Sequence, residues 1–503
     1  MVLQSSMPAN SNLMHCHYVF AVKRTKNGAI EKFKARLVAD GNTQKYGVDY
    51  DRIFATVVKT ATIRLVLVLA AAHDYNLSSI DVRQAYLQAT LTQDLYMRAP
   101  PGVRAFDSTG RPLACKLRRS LYGLKQAGRE WATLLTNFLL SWGMSRSCID
   151  VCLYSYHGKD DTFLWVLVWV DDALIVDNSP PLRARFVRDL SNRFPTEDKG
   201  DLEWILNVAV VRDRAARSLS LSQSLYVSDL LSKYACYIDK SVTRRFDAPL
   251  DEGQLLSPDD SPVLGSPEYD AMTSRRNDYM AIVGGLLWLA NMTRYDIAFV
   301  ASQLARFLTN PGPPHFTAAI RVLCYLRHDP EFALEYRPNS SRPFATYVDS
   351  SWATKFSCSG AFLCLYGCAF AWFSKMQRSV TLSSAEAEFF GAMLAAREML
   401  FAIELFADLD LEIPAPAALY SDSKSAVDLA FDPVAFKKTK HILRAAEYLR
   451  DLVSRDVIVV YHTPGRTMIA DILTKAVARA IFVALLALVR GLADGDVPVV
   501  GPA

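Results

Sequence analysis

The stretch "LWVLVWVDDALIVDN", Leu164 to Asn178, places two adjacent aspartates inside an apolar run that otherwise has the composition of a buried strand. Burying unpaired carboxylates is costly. The cost falls if Asp171 and Asp172 stand at the tight turn of a hairpin, where they stay partly solvated and a divalent cation offsets their repulsion. A surface hairpin merely capped by two aspartates is the alternative interpretation.

The composition is typical of a globular protein with a small positive net charge. The 503 residues are 51% hydrophobic and 21% charged, which is enough to build substantial cores, and this length is typical of about three domains. The net charge of +4 permits a nucleic-acid partner without requiring one.

Cysteine usage and terminal segments indicate an intracellular protein. The nine cysteines are scattered, with no CxxC pair and no histidine companions at zinc spacing, so we expect reduced thiols. The N-terminus lacks the basic and apolar regions of a secretory signal. The apolar run from Ala480 to Val489 is too short to span a bilayer, and we expect a terminal amphipathic helix and no membrane partner.

The first half of the chain mixes strands and helices. Residues Tyr18 to Val38 form two apolar runs around "KNG", a hairpin signal, and "TATIRLVLVLAAAHDY" has helical length. The stretch "LSSIDVRQAYL" predicts a strand that runs into a helix, and a further helix is predicted in "PPLRARFVRDLSNRF". This order indicates an α+β domain and not a doubly wound sheet.

The second half predicts a helical region followed by a second compact unit. The proline-rich stretch from Ser257 to Arg275 is the candidate linker or surface excursion, and packed helices are predicted after it. Strands return at Phe344, and a long helix is predicted from Ser383 to about Ala407. The strand "AALYSDS", a helix, the strand "VIVVYHT" and a last helix after Ile469 complete an α/β unit.

A third acid completes the first candidate metal site. Two magnesium ions held about 4 Å apart for in-line displacement at phosphorus need more carboxylates than one pair. Asp81, in "SSIDVRQAYLQATL", ends a strand-like run and supplies the third. Magnesium prefers such carboxylate oxygens and takes water and phosphate as its other ligands.

The surroundings of these acids resemble the reverse transcriptase of copia-type LTR retrotransposons. The fingers segment of that family is similar to "FKARLVADGNTQKYGVDYDRIFATVVKTATIRLVLVLAAA", its first catalytic motif to "IDVRQAYLQATLTQDLYMRAPPG", and its pocket motif to "CKLRRSLYGLKQAGREW". The family's YVDD turn is similar to "VDDALIV", and "LSQSLYVSDLLSKY", "YMAIVGGLLWLANMTRYDIAFVASQLARF" and "HFTAAIRVLCYLR" resemble its later blocks. The resemblance is collinear from about Tyr18 to Lys475.

The resemblance implies a right-hand polymerase followed by a helical connection and an α/β ribonuclease H-like domain. The implied organisation is an N-terminal extension (1–17), fingers, palm and thumb (18–255), linker and helical connection (256–340), ribonuclease H-like domain (341–478) and tail (479–503). The resemblance implies that Asp81, Asp171 and Asp172 of this chain bind two Mg²⁺ ions, with Mn²⁺ as a substitute.

The resemblance also implies a nucleotide pocket. Tyr86 falls where the family places an aromatic gate against the ribose 2′-hydroxyl, although an ordinary core tyrosine would fit the pattern as well. Lys34 and Arg36 alternate with Ala35, so both would project from one strand face and could hold a triphosphate, or form a solvated face. Lys125 and Gln126 are further candidates for this pocket.

Four downstream acids resemble the metal-binding carboxylates of a ribonuclease H domain. They lie in "TYVDSSW", "SSAEAEF", "LYSDSKSA" and "IADILTK", in predicted strand, helix, strand and final-helix contexts: Asp349, Glu388, Asp422 and Asp471. By default each would be a surface acid. As a set they would bind two Mg²⁺ ions, with water replacing the primer hydroxyl as nucleophile.

Two assignments in this second set have competitors. Glu386 lies two residues before Glu388 and so on another helix face. Counted from the serines that open the helix, Glu388 fits the position implied by the resemblance better. His462, in the predicted loop "HTPGRT", fits the family's mobile histidine of proton transfer or product release, or is an inert loop histidine.

The resemblance implies an RNA-directed DNA polymerase with ribonuclease H activity. Its partners would be an RNA template, a DNA primer, RNA:DNA hybrids and dNTPs, in the cytoplasm, in virus-like particles, or in the nucleus. A catalytically degenerate, nucleic-acid-binding remnant is the alternative function. Departures from the family that bear on it include Trp169, Ala89, Gly128, Asn207 and Ser351, yet no metal-ligand acid is lost.

Overall fold

A computed structural model describes residues 1–24, 30–238, 245–352, 357–378, 380–413, 416–431 and 443–491. The predicted turn "KNG" at residues 26–28 lies outside these residues. None of the helices in the described ranges is long and apolar enough to cross a membrane.

The α-helices of the described residues are interspersed with strands, except for a run of consecutive helices between residues 224 and 328. They are α1 (Thr60–His73), α2 (Ala85–Gln88), α3 (Ala127–Ser141), α4 (Pro180–Arg193), α5 (Ser224–Lys233), α6 (Pro267–Thr273), α7 (Arg276–Met292), α8 (Ala298–Ala305), α9 (Pro313–His328), α10 (Ser384–Asp408), α11 (Lys424–Phe431), α12 (Leu443–Ser454) and α13 (Arg479–Val489).

The strands form five sheets. They are β1 (Val2–Leu3), β2 (Leu13–Met14), β3 (Cys16–Arg24), β4 (Ile30–Ala39), β5 (Asn76–Val82), β6 (Thr90–Arg98), β7 (Leu113–Arg119), β8 (Ser145–Arg146), β9 (Leu153–His157), β10 (Phe163–Trp169), β11 (Asp172–Asp177), β12 (Thr196–Asp201), β13 (Trp204–Ile205), β14 (Val208–Asp213), β15 (Ser218–Ser222), β16 (Ala333–Tyr336), β17 (Ala345–Ser351), β18 (Cys358–Leu365), β19 (Cys368–Met376), β20 (Ala417–Ser421) and β21 (Ile458–His462).

The chain divides into two compact units. The first consists of Met1–Val58 and Asn76–Leu202, and the second of Lys59–Tyr75 and Glu203–Ala503. Both units mix helices and sheets, so the predicted α+β class is confirmed. The five-part domain organisation expected from the sequence stays a prediction.

The core of the first unit lies between an antiparallel sheet and two helices. The sheet has the order β12-β5-β11-β10-β9-β8. Alternate residues of β10, Leu164 and Val166, pack with Trp131 of α3 and Phe186 of α4. The period-2 alternation of a strand thus puts one face of β10 on the helices. This packing holds the end of β10, where the two aspartates lie.

A separate two-stranded hairpin, β3–β4, has two chemically different faces. Tyr18, Phe20 and Phe33 lie on one face, and all three are exposed. Lys34 and Arg36 lie on the other, each paired across the hairpin with a small or β-branched residue of β3. The prediction that Lys34 and Arg36 share a face is confirmed.

The second unit contains a mixed five-stranded sheet of order β19-β18-β17-β20-β21. The pairs β19–β18 and β18–β17 are antiparallel, whereas β17–β20 and β20–β21 are parallel. Helix α10 packs closely on β17 because it carries Gly391, where an added Cβ would lie 2.2 Å from the Ser350 hydroxyl. This close approach brings the first turns of α10 to the strand that carries Asp349.

Two candidate acidic active sites

The first acidic site forms where β5 and β10 end and β11 begins. Asp81 of β5 and Asp172 of β11 are directly paired in register, and Asp171 lies with Val170 in the two-residue turn between β10 and β11. Val170 has φ 58°, an outlier for a β-branched residue, and its carbonyl accepts a 2.6 Å hydrogen bond from the indole of Trp131. The fold therefore brings the three predicted acids together at a strained, buttressed turn.

A lysine that the sequence analysis missed lies between two of these acids. Lys199 is the extra residue of a β-bulge on β12, between Asp198 and Gly200. Its Nζ lies 2.8 Å from Asp172 Oδ1 and 3.2 Å from Asp81 Oδ2. The only sequence signal is a Lys-Gly pair inside the polar strand "TEDKGD", which is too weak to identify it.

The charged groups of this site are partly solvated. The side chains of Asp81 and Asp172 are 31% and 51% exposed. Burial raises the pKa of Asp171, and the neighbouring Asp172 and Asp81 raise it further. Burial acts to lower the pKa of Lys199, but its hydrogen bond and charge interactions with the acids outweigh this, so the net shift is upward.

Tyr86 of α2 lies beside the acids and against a second tyrosine. Its ring centroid is 5.2 Å from that of Tyr122, and Asp171 acts electrostatically on both phenols. The Arg36 guanidinium lies 5.6 Å from the centre of the Tyr122 ring. The structure thus brings Tyr86, Arg36 and Asp171 together around Tyr122. Tyr122 belongs to the pocket motif "CKLRRSLYGLKQAGREW", but the sequence did not identify it as a functional residue.

Lys125 and Gln126 make their described contacts elsewhere. Gln44 joins them, accepting from the Lys125 backbone N–H at 2.7 Å and donating to Gln126 Oε1 at 3.0 Å. Gln126 is buried and also donates to the Asp49 carbonyl. Lys34 shares its strand face with Arg36. A role for any of these residues in a nucleotide pocket stays a prediction.

The second acidic site gathers residues from three elements. Asp349 on β17, Glu388 on α10 and Asp422 just after β20 each offer a carboxylate oxygen, and these oxygens lie within 4.8 Å of one another. Glu386 faces elsewhere: it is buried, and its Oε2 accepts a 2.7 Å hydrogen bond from the Leu382 N–H at the start of the helix. The geometry therefore groups Glu388, not Glu386, with the other acids.

Asp471 reaches the same site through a neighbouring lysine. Lys475 Nζ lies 3.0 Å from Asp471 Oδ1 and 3.6 Å from Asp349 Oδ2, and the Thr474 hydroxyl donates to Asp349. Asp471 lies in a helix, as expected, but residues Ile469–Leu473 form only a short 3-10 helix, in which the Thr474 N–H donates to the Asp471 carbonyl. Lys475 and Thr474 were not predicted.

His462 lies at the edge of this site. Its Nε2 is 3.1 Å from the backbone carbonyl of Asp422, and its side chain is exposed. The expectation of a loop position is wrong, because His462 is paired with Ser421 as the last residue of β21. The parallel pairing of β20 and β21 is what brings the histidine to the acid.

Burial makes the second site electrostatically strained. It raises the pKa of Glu388 to about 9, with further contributions from Asp349 and Asp422, and it raises the pKa of Asp471 to about 7, with Asp349 adding to the shift. Among the described residues Glu388 Oε2 is buried without a hydrogen-bond partner. Hard carboxylate oxygens, converging with one of them unpaired, fit a Mg²⁺ or Mn²⁺ ion.

Comparison with known proteins identifies close relatives of this sequence. Residues 3–243 match the reverse transcriptase (RNA-dependent DNA polymerase) family. The chain is 33% identical over 480 residues to the retrovirus-related Pol polyprotein from transposon RE1 of Arabidopsis thaliana, covering 94% of this chain and 31% of that protein. It is 33% identical over 479 residues to the Pol polyprotein from transposon TNT 1-94 of Nicotiana tabacum, covering 94% and 35%. The chain thus spans about a third of the length of these curated relatives.

A solved structure of a foamy viral protease-reverse transcriptase in complex with double-stranded DNA is also similar. The match has 12% sequence identity and a TM-score of 0.42, and covers 89% of this chain and 65% of that chain.

Proposed function

Because residues 3–243 belong to the reverse transcriptase family and the chain as a whole is related to Pol polyproteins of copia-type retrotransposons, we propose that it is an RNA-directed DNA polymerase with ribonuclease H activity. The observation that carries the polymerase assignment is the register of β5 and β11, which sets Asp81 opposite Asp172 with Asp171 in the adjoining turn. Three carboxylates at one sheet edge suit nucleotidyl transfer.

In the first site Asp81, Asp171 and Asp172 would hold two divalent ions. Those ions would supply the charge that stabilises a transferring phosphoryl group and lowers the pKa of the attacking hydroxyl. The protein's own part would be to position the nucleotide: Tyr86 would face the ribose beside the acids, and Arg36 and Lys34 would supply cations for the triphosphate. Lys125 and Gln126 are both hydrogen-bonded to Gln44.

In the second site Asp349, Glu388, Asp422 and Asp471 would hold the ions of a ribonuclease. The unpaired Glu388 oxygen and the raised pKa values of Glu388, Asp422 and Asp471 support this role, since a cation relieves the repulsion that burial intensifies. His462, held near Asp422, is placed to move a proton at the departing or attacking oxygen.

The substrates of the proposed enzyme are an RNA template, a DNA primer, dNTPs and the RNA:DNA hybrid. Template copying forbids a base preference, so nucleic-acid binding should be mostly electrostatic and should weaken steeply with added salt. An affinity independent of salt concentration would count against this mode of binding.

Primer extension on an RNA template with Mg²⁺ tests the proposed function. The wild-type chain should incorporate dNTPs, and a variant with both Asp171→Asn and Asp172→Asn should not. A folded wild-type chain that binds the hybrid yet incorporates nothing would instead support the alternative of a catalytically degenerate remnant. Incorporation that survives the double substitution would refute the site assignment.

A further inference from the structure

We propose that Tyr122 is a positioning residue of the nucleotide pocket: its ring backs the gate residue Tyr86, and its hydroxyl holds Arg36. This inference rests on the proposed polymerase function, because the gate and the triphosphate-binding cation have meaning only for a nucleotide substrate. It concerns neither the acids nor their ions.

The backbone of Tyr122 is tied to the elements that carry its two partners. On one side the Tyr122 carbonyl accepts a 2.8 Å hydrogen bond from the N–H of Ala39, the last residue of β4, which carries Arg36. On the other side the N–H of Ser120 donates at 2.9 Å to the carbonyl of Ala89, directly after α2, which carries Tyr86. The loop of Tyr122 therefore joins β4 to α2.

Gly123 lets this loop approach β4 closely. It has φ +90°, and a Cβ added there would lie 2.1 Å from the Ala39 carbonyl oxygen, so a larger residue would push the loop away. Backbone contacts on both sides thus fix the position of Tyr122 relative to β4 and α2.

The side chain of Tyr122 meets three groups of the pocket. Its ring packs on Tyr86 with an interplanar angle of 54°, a geometry in which aromatic pairs attract. Burial raises the pKa of the Tyr122 phenol, as does Asp171, whereas the charge of Arg36 and a hydrogen bond with it act in the opposite direction. The Arg36 guanidinium, 5.6 Å from the centre of the Tyr122 ring, therefore lies beside this side chain.

Tyr86 also packs against the hydrophobic core, which includes Trp131 and Ala127 of α3. Next to its hydroxyl, however, residue 128 of α3 is a glycine, and an added Cβ would lie 3.9 Å from the hydroxyl oxygen. Residue 128 thus offers no side chain to the phenol, whereas the ring of Tyr122 packs directly on that of Tyr86.

Two substitutions separate the ring from the hydroxyl. Tyr122→Phe keeps the ring, so the preference for dNTP over rNTP should stay within about twofold, while the KM for dNTP rises roughly tenfold at unchanged kcat, as for loss of a hydrogen bond to a charged group. Tyr122→Leu removes the ring, and the ratio of kcat/KM for dNTP to that for rNTP should fall by about tenfold.

A double substitution tests whether Tyr122 acts through Tyr86. If it does, Tyr86→Leu combined with Tyr122→Leu should lose no more discrimination than Tyr86→Leu alone, because residues in one unit are not additive. Independent, additive losses would overturn the proposal, as would a Tyr122→Leu variant that discriminates like wild type. Tyr156→Leu is the matched control: Tyr156 packs on Trp142 in the same unit and should leave the discrimination ratio unchanged.

Nucleotide binding decides the inference separately from catalysis. The affinity of the primed, full-length chain for dGTP and for GTP can be measured by calorimetry in Ca²⁺. A wild-type chain that incorporates nothing would sink the proposed function, yet a dGTP preference lost in Tyr122→Leu would still support the inference. Equal affinities for the two nucleotides in the wild type, or a preference that survives in Tyr122→Leu, would overturn it.

Discussion

The two acidic sites hold similar carboxylates in opposite surroundings. In the first unit the side chains of Asp81 and Asp172 are 31% and 51% exposed, and water screens their repulsion. In the second unit those of Asp349 and Asp471 are only 2% and 13% exposed, and the pKa of Asp471 is raised to about 7, chiefly by burial. The two sites therefore differ in how much of their charge water can screen, and the raised pKa of Asp471 shows that burial disfavours the charged form in the second site.

Each site also contains one lysine bridging two acids. Lys199 and Lys475 are almost equally exposed, at 39% and 42% of their side chains. Any difference in what the two lysines contribute must therefore come from the acids they meet. Substituting each lysine therefore tests how burial of the acids changes the contribution of an ion pair to the free energy of unfolding.

The largest expected effect is a separation of the two activities. Asp422→Asn should lower cleavage of the RNA strand by more than roughly a hundredfold, since even outer partners of metal sites are worth 10–100-fold, and should leave DNA synthesis nearly intact. Asp171→Asn should lower DNA synthesis and leave cleavage of the RNA strand nearly intact. The two aspartates belong to different compact units, and groups without shared partners usually behave independently. Parallel assays of extension and hybrid cleavage measure both.

Circular dichroism of each variant provides the control for folding. If the folded Asp422→Asn variant lost both DNA synthesis and RNA cleavage, the conclusion that the two sites act independently would be wrong. Retained cleavage in Asp422→Asn would instead remove this residue from the second site.

Local sequence patterns were sufficient to predict the strands that carry the acids. The apolar run that Asp171 interrupts predicted a tight turn between two strands. The pairing of Trp169 with Asp172 confirms that turn. Helix periodicity put Glu386 and Glu388 on different faces, the family resemblance favoured Glu388, and the structure groups Glu388 with the acids. These inferences succeeded because each depends on residues close together in sequence.

Contacts between distant segments could not be predicted in this way. Lys199 reaches Asp81 through a bulge whose register depends on the whole sheet, and Tyr122 meets Tyr86 through tertiary packing. Helix α1 groups with the second unit although the chain before and after it belongs to the first. No local periodicity encodes which strand or helix a segment will join.

The next effect is on stability without metal. Lys475→Met should lower the free energy of unfolding by about 2 kcal/mol, less than the 3–5 kcal/mol for breaking a fully buried pair because this lysine is partly exposed. Lys199→Met should cost under about 1 kcal/mol, as for an exposed pair. Urea titration in EDTA measures both, and Mg²⁺ should recover most of the Lys475→Met loss. Equal losses would show that burial does not distinguish the sites.

A smaller effect is expected on the pH dependence of stability. Burial, with Asp349 and Asp422, raises the pKa of Glu388 to about 9 from an ordinary 4.5, so the folded state keeps a proton that the unfolded state loses. Its stabilising contribution is full below about pH 4.5 and is lost as pH rises through about 9. The melting temperature in EDTA should therefore fall less steeply over this range in Glu388→Gln than in wild type. An unchanged slope would contradict the raised pKa.

The smallest effect is expected at the neighbouring glutamate. Glu386→Ala removes the acceptor for the Leu382 N–H at the start of α10, which should cost about 1 kcal/mol, as for loss of a helix cap. Hybrid cleavage should stay within about twofold of wild type, because two helical positions turn the side chain away from Asp349. Glu388→Ala is the matched variant and should abolish cleavage. A Glu386→Ala variant that keeps its melting temperature but loses cleavage would transfer the ligand role to Glu386 and reverse the assignment made from the geometry.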